Sequence, residues 1–305
     1  MNTSGGGAAR PARLAIGVVS AGRVGSVLGN ALAAAGHQVV AASGVSRSSV
    51  IRAAALLPDV PLEPPDQVVE RADLVLLAVP DDVLPGLVRG LATAGCFRQG
   101  QIVVHTSGAH GVAVLEPAAE HGTLPLALHP VMTFTGRPED VQRLAACSVG
   151  VTAAEHDEAG WSVGEALVVE MGADPVRVPE AVRPLYHAAL AHGANHLITL
   201  VRDSVDVLER AGVKPAERML GPLLSAALDN ALRHGDRALT GPVARGDVGT
   251  IRKHLRELGE HAPETIDSYR ALAERTAERA RAAGLLRPSD AAEVHAALKD
   301  TEDRQ

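Results

Sequence analysis

Lysine is nearly missing from this 305-residue chain; Lys214, Lys253 and Lys299 are all it has. Any mechanism that needs a catalytic lysine therefore has few candidates. Aromatic residues are as scarce, with one tryptophan, two tyrosines and two phenylalanines, and the formal net charge is −7. A chain with little to stack on bases and no basic excess is not built to hold nucleic acid. The two cysteines, Cys96 and Cys147, form no C-x-x-C pair and suggest no oxidising compartment. No apolar run approaches the ~18 residues that a membrane span needs. The start of the chain, MNTSGGGAARPAR, lacks an apolar signal core, so residues 1–12 read as a flexible leader and the expected location is the cytoplasm.

What the chain does have is ample core material, 46% hydrophobic residues, and length enough for two ordinary domains. The stretch from Leu14 to Leu32 organises the rest. An apolar run (Leu14, Ile16, Val18, Val19) enters the turn Ser20-Ala21-Gly22-Arg23-Val24-Gly25, and a helix follows with Val27, Leu28, Ala31 and Leu32 on one face. Strand, glycine turn and helix in this order predict a dinucleotide-binding elbow. Gly22 would let the backbone approach a pyrophosphate, Gly25 would let the helix lie close to the strand, and the free N–H groups at Arg23 and Val24 would face anionic oxygens. Ser20 stands where the G-x-G-x-x-G pattern has its first glycine.

A second strand, Gln38 to Ala42, leads to Ser43-Gly44-Val45-Ser46-Arg47-Ser48-Ser49. The acid that selects NAD, expected roughly 20 residues beyond the glycines, is absent there. Arg47 between Ser46 and Ser48 suits a 2′-phosphate instead, so the cofactor is read as NADP. The alternative is that Ser46 simply caps a helix starting near Ser48. The run Asp73 to Val79 has the unbroken apolar character of a strand buried on both faces. Its carboxyl end, Val79 and Pro80, should meet the cofactor, and Asp82 reads as the cap of a helix over Val83 to Leu91. Further strands are expected at Gln101 to Val104, ending in His105-Thr106-Ser107, at Leu124 to Leu128, ending in His129-Pro130-Val131-Met132-Thr133, and at Val149 to Thr152 and Val176 to Val178.

From Pro179 helical patterns take over: Val182 to Ala211, Ala216 to His234, Gly249 to His261 and Pro263 to Ala283. The predicted fold is α/β, a Rossmann-like, mostly parallel doubly wound sheet over 13–178, followed by a smaller all-helical domain over 179–288 and a polar tail over 289–305. On the first long helix His187 and Asn195 lie ~80° apart at 100° per residue, on one face. Each could instead satisfy a core hydrogen bond. His192 and His196 have the i,i+4 spacing of helical zinc ligands, but no glutamate sits between them and no third ligand is evident, so no metal site is read. The loop Ala238-Leu-Thr240-Gly241-Pro242-Val243-Ala244-Arg245-Gly246-Asp247 offers Arg245 as a carboxylate clamp and Asp247 as a helix cap.

These segments, SAGRVG, HTSGAHG, LALHPVMTF, LYHAAL…N and ALTGPVARGD, resemble a two-domain family in which a Rossmann-like NADP-binding domain precedes a helical domain of unknown function 2520. That family is similar to the 6-phosphogluconate-dehydrogenase-like reductases, and some members resemble alternative ketopantoate reductases. The resemblance implies NADPH-dependent reduction of 2-dehydropantoate to pantoate and a homodimer formed through the helical domain. Many such reductases carry K-x-x-x-N on the long helix; here Asn195 matches the asparagine, while Ala191 stands at the lysine position.

Reduction of a 2-keto acid needs an acid for the developing alkoxide and a group that holds the carboxylate. The expected roles are His187, with His129 as the alternative, for proton donation; Asn195 for orienting the carbonyl; Ser107 and Thr133 for lining the pocket; and Arg245 for the carboxylate of a small-molecule substrate. Two other readings are open: reduction of a C=N bond in a cyclic imine or pyrroline carboxylate, and an NADP-binding sensor without turnover.

Overall fold

The computed structural model describes residues 13–300; the expected leader over 1–12 lies outside them. Seven strands form one sheet: β1 (Ala15–Val19), β2 (Gln38–Ala42), β3 (Leu74–Leu77), β4 (Ile102–His105), β5 (Leu124–Pro130), β6 (Ser148–Thr152) and β7 (Asp174–Arg177). Their order is β2-β1-β3-β4-β5-β6-β7. Every neighbouring pair is parallel except β5 and β6. The helices of this part are α1 (Arg23–Ala34), α2 (Arg47–Leu56), α3 (Pro65–Arg71), α4 (Leu84–Thr93), α5 (Glu116–Ala119), α6 (Glu139–Leu144) and α7 (Glu158–Glu170).

Alternation along the strands sorts side chains into two cores. Ile16, Val18, Leu74, Leu76, Val104 and Leu126 join Leu28 of α1 and Val168 of α7 on one face. Val19, Val75, Leu77 and Val103 join Val68 of α3 and Val88 of α4 on the other. Burial on both faces is why these strands read as unbroken apolar runs in the sequence.

At the elbow the sequence departs from pattern and the backbone does not. Ser20 takes φ +75°, the left-handed conformation that a glycine would adopt freely. The turn is tied to β2, since Ser20 N–H donates to Ser43 Oγ (2.8 Å) and Ala21 N–H to the Ser43 carbonyl (2.6 Å). Gly25 is required by close approach, because a Cβ there would lie 2.2 Å from the Ser20 carbonyl oxygen and 3.0 Å from Ala78 Cβ.

Register builds a ledge. β4 pairs with β5 only from Ile102↔Leu124 to His105↔Ala127. Beyond that point β5 continues to Pro130 and pairs with antiparallel β6, His129 opposite Gly150. His129 thus stands past the end of β4.

The remaining helices are α8 (Arg183–Arg210), α9 (Ala216–His234), α10 (Pro242–Arg245), α11 (Val248–His261), α12 (Ile266–Ala282) and α13 (Pro288–Lys299). The chain forms two compact units that divide between Gly193 and Ala194 rather than at residue 178. The first turns of α8 belong to the sheet unit because Arg183 is fully buried in it. A second correction concerns the expected tail over 289–305: Ala291, Val294 and Leu298 of α13 share the core of the second unit with Ile251, Ala277 and Ala280. A stripe at i, i+3 and i+7 outweighs the polar residues between. Residues 301–305 lie outside the described ones. A third concerns Asp82: the cap position of α4 is Val83, without a side-chain cap bond. Asp247 does cap α11, accepting from Thr250 N–H at 3.0 Å. Among the described residues no helix is long and apolar enough to cross a membrane.

The elbow makes opposite predictions for two neighbouring positions. Ser20→Gly should raise stability by about 1 kcal/mol by removing the left-handed penalty. Gly25→Ala should lower it by about 1–3 kcal/mol through overpacking. Urea midpoints at constant m-value check both.

Candidate active site

At the carboxyl end of β1 the cap of α1 is Gly22, without a side-chain cap bond, so the first N–H groups of the helix are open to a ligand. A crevice of about 400 Å³ opens there, lined by Ser20, Gly22, Ser43, Ser46, Ser49 and Arg52 on its polar side and by Val79, Val83 and Leu87 on its apolar side. Glycine, hydroxyls and a guanidinium around an apolar slot fit a dinucleotide's phosphates and one of its rings. A Cβ on Gly22 would come no closer than 3.5 Å, to Ser20 Oγ, so that face of the turn is open while Gly25 is packed solid.

Of the residues expected to bind the cofactor, Ser20, Gly22, Ser46 and Val79 line the crevice. Arg23, Arg47, Ser48 and Pro80 are exposed, Val24 is half-buried and Gly25 buried beside it. Ser46 is a helix cap: its Oγ accepts from Ser49 N–H at 3.1 Å. Arg52 is the crevice cation that the sequence analysis missed. It follows Ser49 by three residues and so shares a helix face with it, which is the signal that would have found it. Its stem lies against Gly136, where a Cβ would be 2.7 Å from Arg52 Cδ and 3.0 Å from Arg23 Cγ. Asp140 fixes that loop by accepting from Thr135 and Gly136 N–H (2.7 and 2.8 Å). Burial pushes the Asp140 carboxyl up, yet these N–H bonds hold it below its ordinary value.

The second cluster lies at the ends of β4 and β5. His129 Nδ1 is 2.8 Å from Tyr186 Oη, and its ring stands edge-on to those of Tyr186 and His187, with centroids 5.7 and 6.1 Å away. Gly108 makes this possible, since a Cβ there would fall 2.6 Å from His187 Cδ2 and 2.9 Å from His129 Nε2. Beneath the cluster Arg183 is fully buried. Its Nε donates to Thr152 Oγ1 (2.8 Å), one terminal nitrogen to the carbonyls of Ser107 (2.7 Å) and His110 (3.0 Å), and the other to those of Gly150 (3.1 Å) and Ala127 (3.3 Å). His105 supports the same turn: its Nε2 donates to the Gly111 carbonyl (2.8 Å) while Nδ1 accepts from Ser107 N–H (3.2 Å). That pattern fixes a neutral tautomer.

Burial first, and then the Arg183 and His187 charges, push His129 down to about 4 against a lesser opposing pull from Asp81. Burial likewise pushes His105 down to about 3. Burial raises the Tyr186 phenol, and the Arg183 charge opposes that rise.

The structure brings His187 and His129 together. Ser107 is buried beside them, but its Oγ accepts from His110 N–H (3.1 Å), so it shapes the turn. Thr133 is exposed in the loop after β5. Asn195 and Arg245 belong to the second unit and are both exposed there. Tyr186 and Arg183 were not singled out from sequence. Tyr186, one of only two tyrosines and directly before His187, carried a usable signal. Arg183 carried none, because carbonyl partners leave no trace in a sequence.

The Rossmann-like domain family matches residues 1–130, and the domain of unknown function DUF2520 matches residues 147–276. The chain thus carries a Rossmann-like domain followed by a DUF2520 domain. No curated protein matches it. Solved structures of similar fold include a candidate NADP oxidoreductase from Bacteroides fragilis, 20% identical with TM-score 0.70 over 87% of this chain and 98% of that one. An imine reductase from Pseudomonas sp. is 18% identical with TM-score 0.62, over 94% of this chain and 100% of that one. A Plasmodium falciparum pyrroline carboxylate reductase with NADP bound is 10% identical with TM-score 0.55, over 93% of this chain and 98% of that one. At these identities the likeness is one of fold. The DUF2520 match begins at Cys147, so it takes in β6, β7 and the residues from Arg183 to His187.

The two depressed histidines tie stability to pH. Both bind protons more weakly in the native chain than in the unfolded one, so stability is full above the ordinary histidine value of 6.5 and is lost as pH falls toward about 4 and about 3. Between pH values of about 7.5 and about 5.5, roughly 1 kcal/mol should be lost per histidine. Urea unfolding of wild type and His129→Gln checks this, the variant losing about half as much.

Proposed function

We propose that the chain is an NADPH-dependent reductase of a small 2-keto acid, with 2-dehydropantoate as substrate and pantoate as product. The observation that carries the reading is a shared sheet edge. An open phosphate cradle stands at β1, and a cluster of proton-bearing side chains around Gly108 stands at the end of β5, three strands along. The reductases of similar fold support oxidoreductase chemistry. When bound, the nicotinamide supplies a hydride. The chain's own contribution is to seat phosphates on Gly22 and the start of α1, to hold the 2′-phosphate end among Ser46, Arg47 and Arg52, and to deliver a proton from the histidine cluster. The free, buried Cys96 and Cys147 suit a reducing compartment, and we place the enzyme in the cytoplasm.

A second reading, reduction of a C=N bond, is favoured by one observation. The ring of His129 is held neutral at pH 7, and a protonated imine brings its own proton. NADPH consumption measured across 2-dehydropantoate, other 2-keto acids and cyclic imines decides. Turnover of the keto acid is expected; turnover of imines alone would establish the second reading, and tight NADPH binding without turnover would make the chain a sensor. Arg52→Ala should weaken NADPH about tenfold or more, the worth of a charge-assisted hydrogen bond. NADH, which lacks the 2′-phosphate, should be nearly unaffected in the same titration.

We also propose a homodimer through the helical region. Along α9 the large apolar side chains Met219, Leu223, Leu228 and Leu232 are exposed, Leu232 to 78%. A 19-residue helix with this many exposed apolar side chains gains little from propensity alone and calls for a covering surface. Sedimentation should give a dimer, and Leu228→Glu with Leu232→Glu should shift it to monomer.

A further inference from the structure

We propose that the proton for the substrate travels by a relay, from Tyr186 through His129, with the buried Arg183 as its positioning residue. The proposal rests on the reductase reading and extends it to named atoms.

The geometry gives the two nitrogens of His129 different surroundings. Nδ1 meets the Tyr186 hydroxyl at 2.8 Å. Nε2 has no protein partner among the described hydrogen bonds and is not among the buried unpaired atoms, and it packs so close to Gly108 that a Cβ there would come within 2.9 Å of it. A phenol is a better donor than a neutral imidazole N–H, so the hydroxyl donates to Nδ1 and the ring proton resides on Nε2, the nitrogen left without a protein acceptor. An uncharged imidazole gives up that proton readily only if its other nitrogen gains one in the same event. Tyr186 is placed to supply it.

The balance is as follows. Reduced nicotinamide supplies the hydride, leaving an electron pair and negative charge on the substrate heteroatom. The His129 Nε2–H bond breaks as the heteroatom–H bond forms, and the Tyr186 Oη–H bond breaks as Nδ1–H forms. The phenolate left behind regains its proton from water.

Arg183 serves both ends of this chain. It precedes Tyr186 by three residues, one helical turn, and its charge opposes the rise that burial imposes on the phenol. Its bonds to the Ser107 and His110 carbonyls hold the turn on which Gly108 sits, and its bond to Gly150 holds the β6 residue opposite His129. Tyr186 itself lies on that residue, since a Cβ on Gly150 would come 2.7 Å from the phenol oxygen. The titratable and charged groups facing the pair are Arg183, His187 and Asp81 around His129, and Arg183 and Cys147 around Tyr186.

Nitrogen-15 NMR of the full chain labelled in histidine, with and without NADPH, reads the tautomer directly, and kinetics read the relay. The expected spectrum shows His129 protonated at Nε2, with Nδ1 as acceptor. Tyr186→Phe should cut kcat about 10–10²-fold with KM and NADPH affinity unchanged, erase the alkaline limb of the kcat–pH profile, and lose the Nδ1 acceptor signature. Arg183→Lys should keep the fold, by circular dichroism, and recover part of the activity that Arg183→Met loses. A proton on Nδ1 in the wild type, or wild-type kcat in Tyr186→Phe, would overturn the relay. Wild type that shows the Nε2 tautomer yet reduces nothing in the substrate panel would overturn the reductase reading and, with it, the substrate end of the relay.

Discussion

The sheet unit is held in working shape by one buried cation without a carboxylate partner among the described bonds. Arg183 collects carbonyl oxygens from the turn after β4, from β5 and from β6, together with the hydroxyl of Thr152. A guanidinium has five N–H donors in a fixed fork, so it can bridge chain segments that share no hydrogen-bond ladder. That is the situation here, because β5 outruns β4 and then meets β6 running the other way. The ledge carrying His129, the turn carrying Gly108 and the first turn of α8 all converge on this side chain. Burying the charge costs solvation, which only a full set of acceptors can offset.

The division of labour along the sheet edge follows from strand order. The phosphate cradle needs a free helix start and finds it at Gly22, while the proton-bearing cluster needs to exclude water and finds cover under α8. The two sites sit apart because β3 and β4 lie between β1 and β5.

The sheet was legible because its strands are buried on both faces, and runs such as Leu74–Leu77 have no other economical explanation. The elbow was legible despite Ser20, since Gly25 and the strand–turn–helix order carry the pattern. The stripe of α13 was misread because alanine makes a weak apolar signal among polar neighbours, although Val294 and Leu298 are fully covered. The site was half visible. His129 and His187 stand out as histidines at a strand end and on an apolar helix, and the structure brings them together. Arg52 had a faint signal of spacing, and Tyr186 a usable one in its rarity and its place beside His187. Arg183 had none, since its partners are the Thr152 hydroxyl and carbonyls from three places in the chain, and only folding assembles them.

The depth of Arg183 has one more consequence. Mobile ions cannot reach a guanidinium sealed among carbonyls, whereas Arg47 stands in bulk solvent and Arg52 borders an open crevice. Debye screening at physiological ionic strength acts over roughly 8 Å of water and leaves buried charges largely untouched. Electrolyte therefore separates the two ends of the sheet edge, loosening the hold on an anionic nucleotide while the field that governs the phenol and imidazole stays constant.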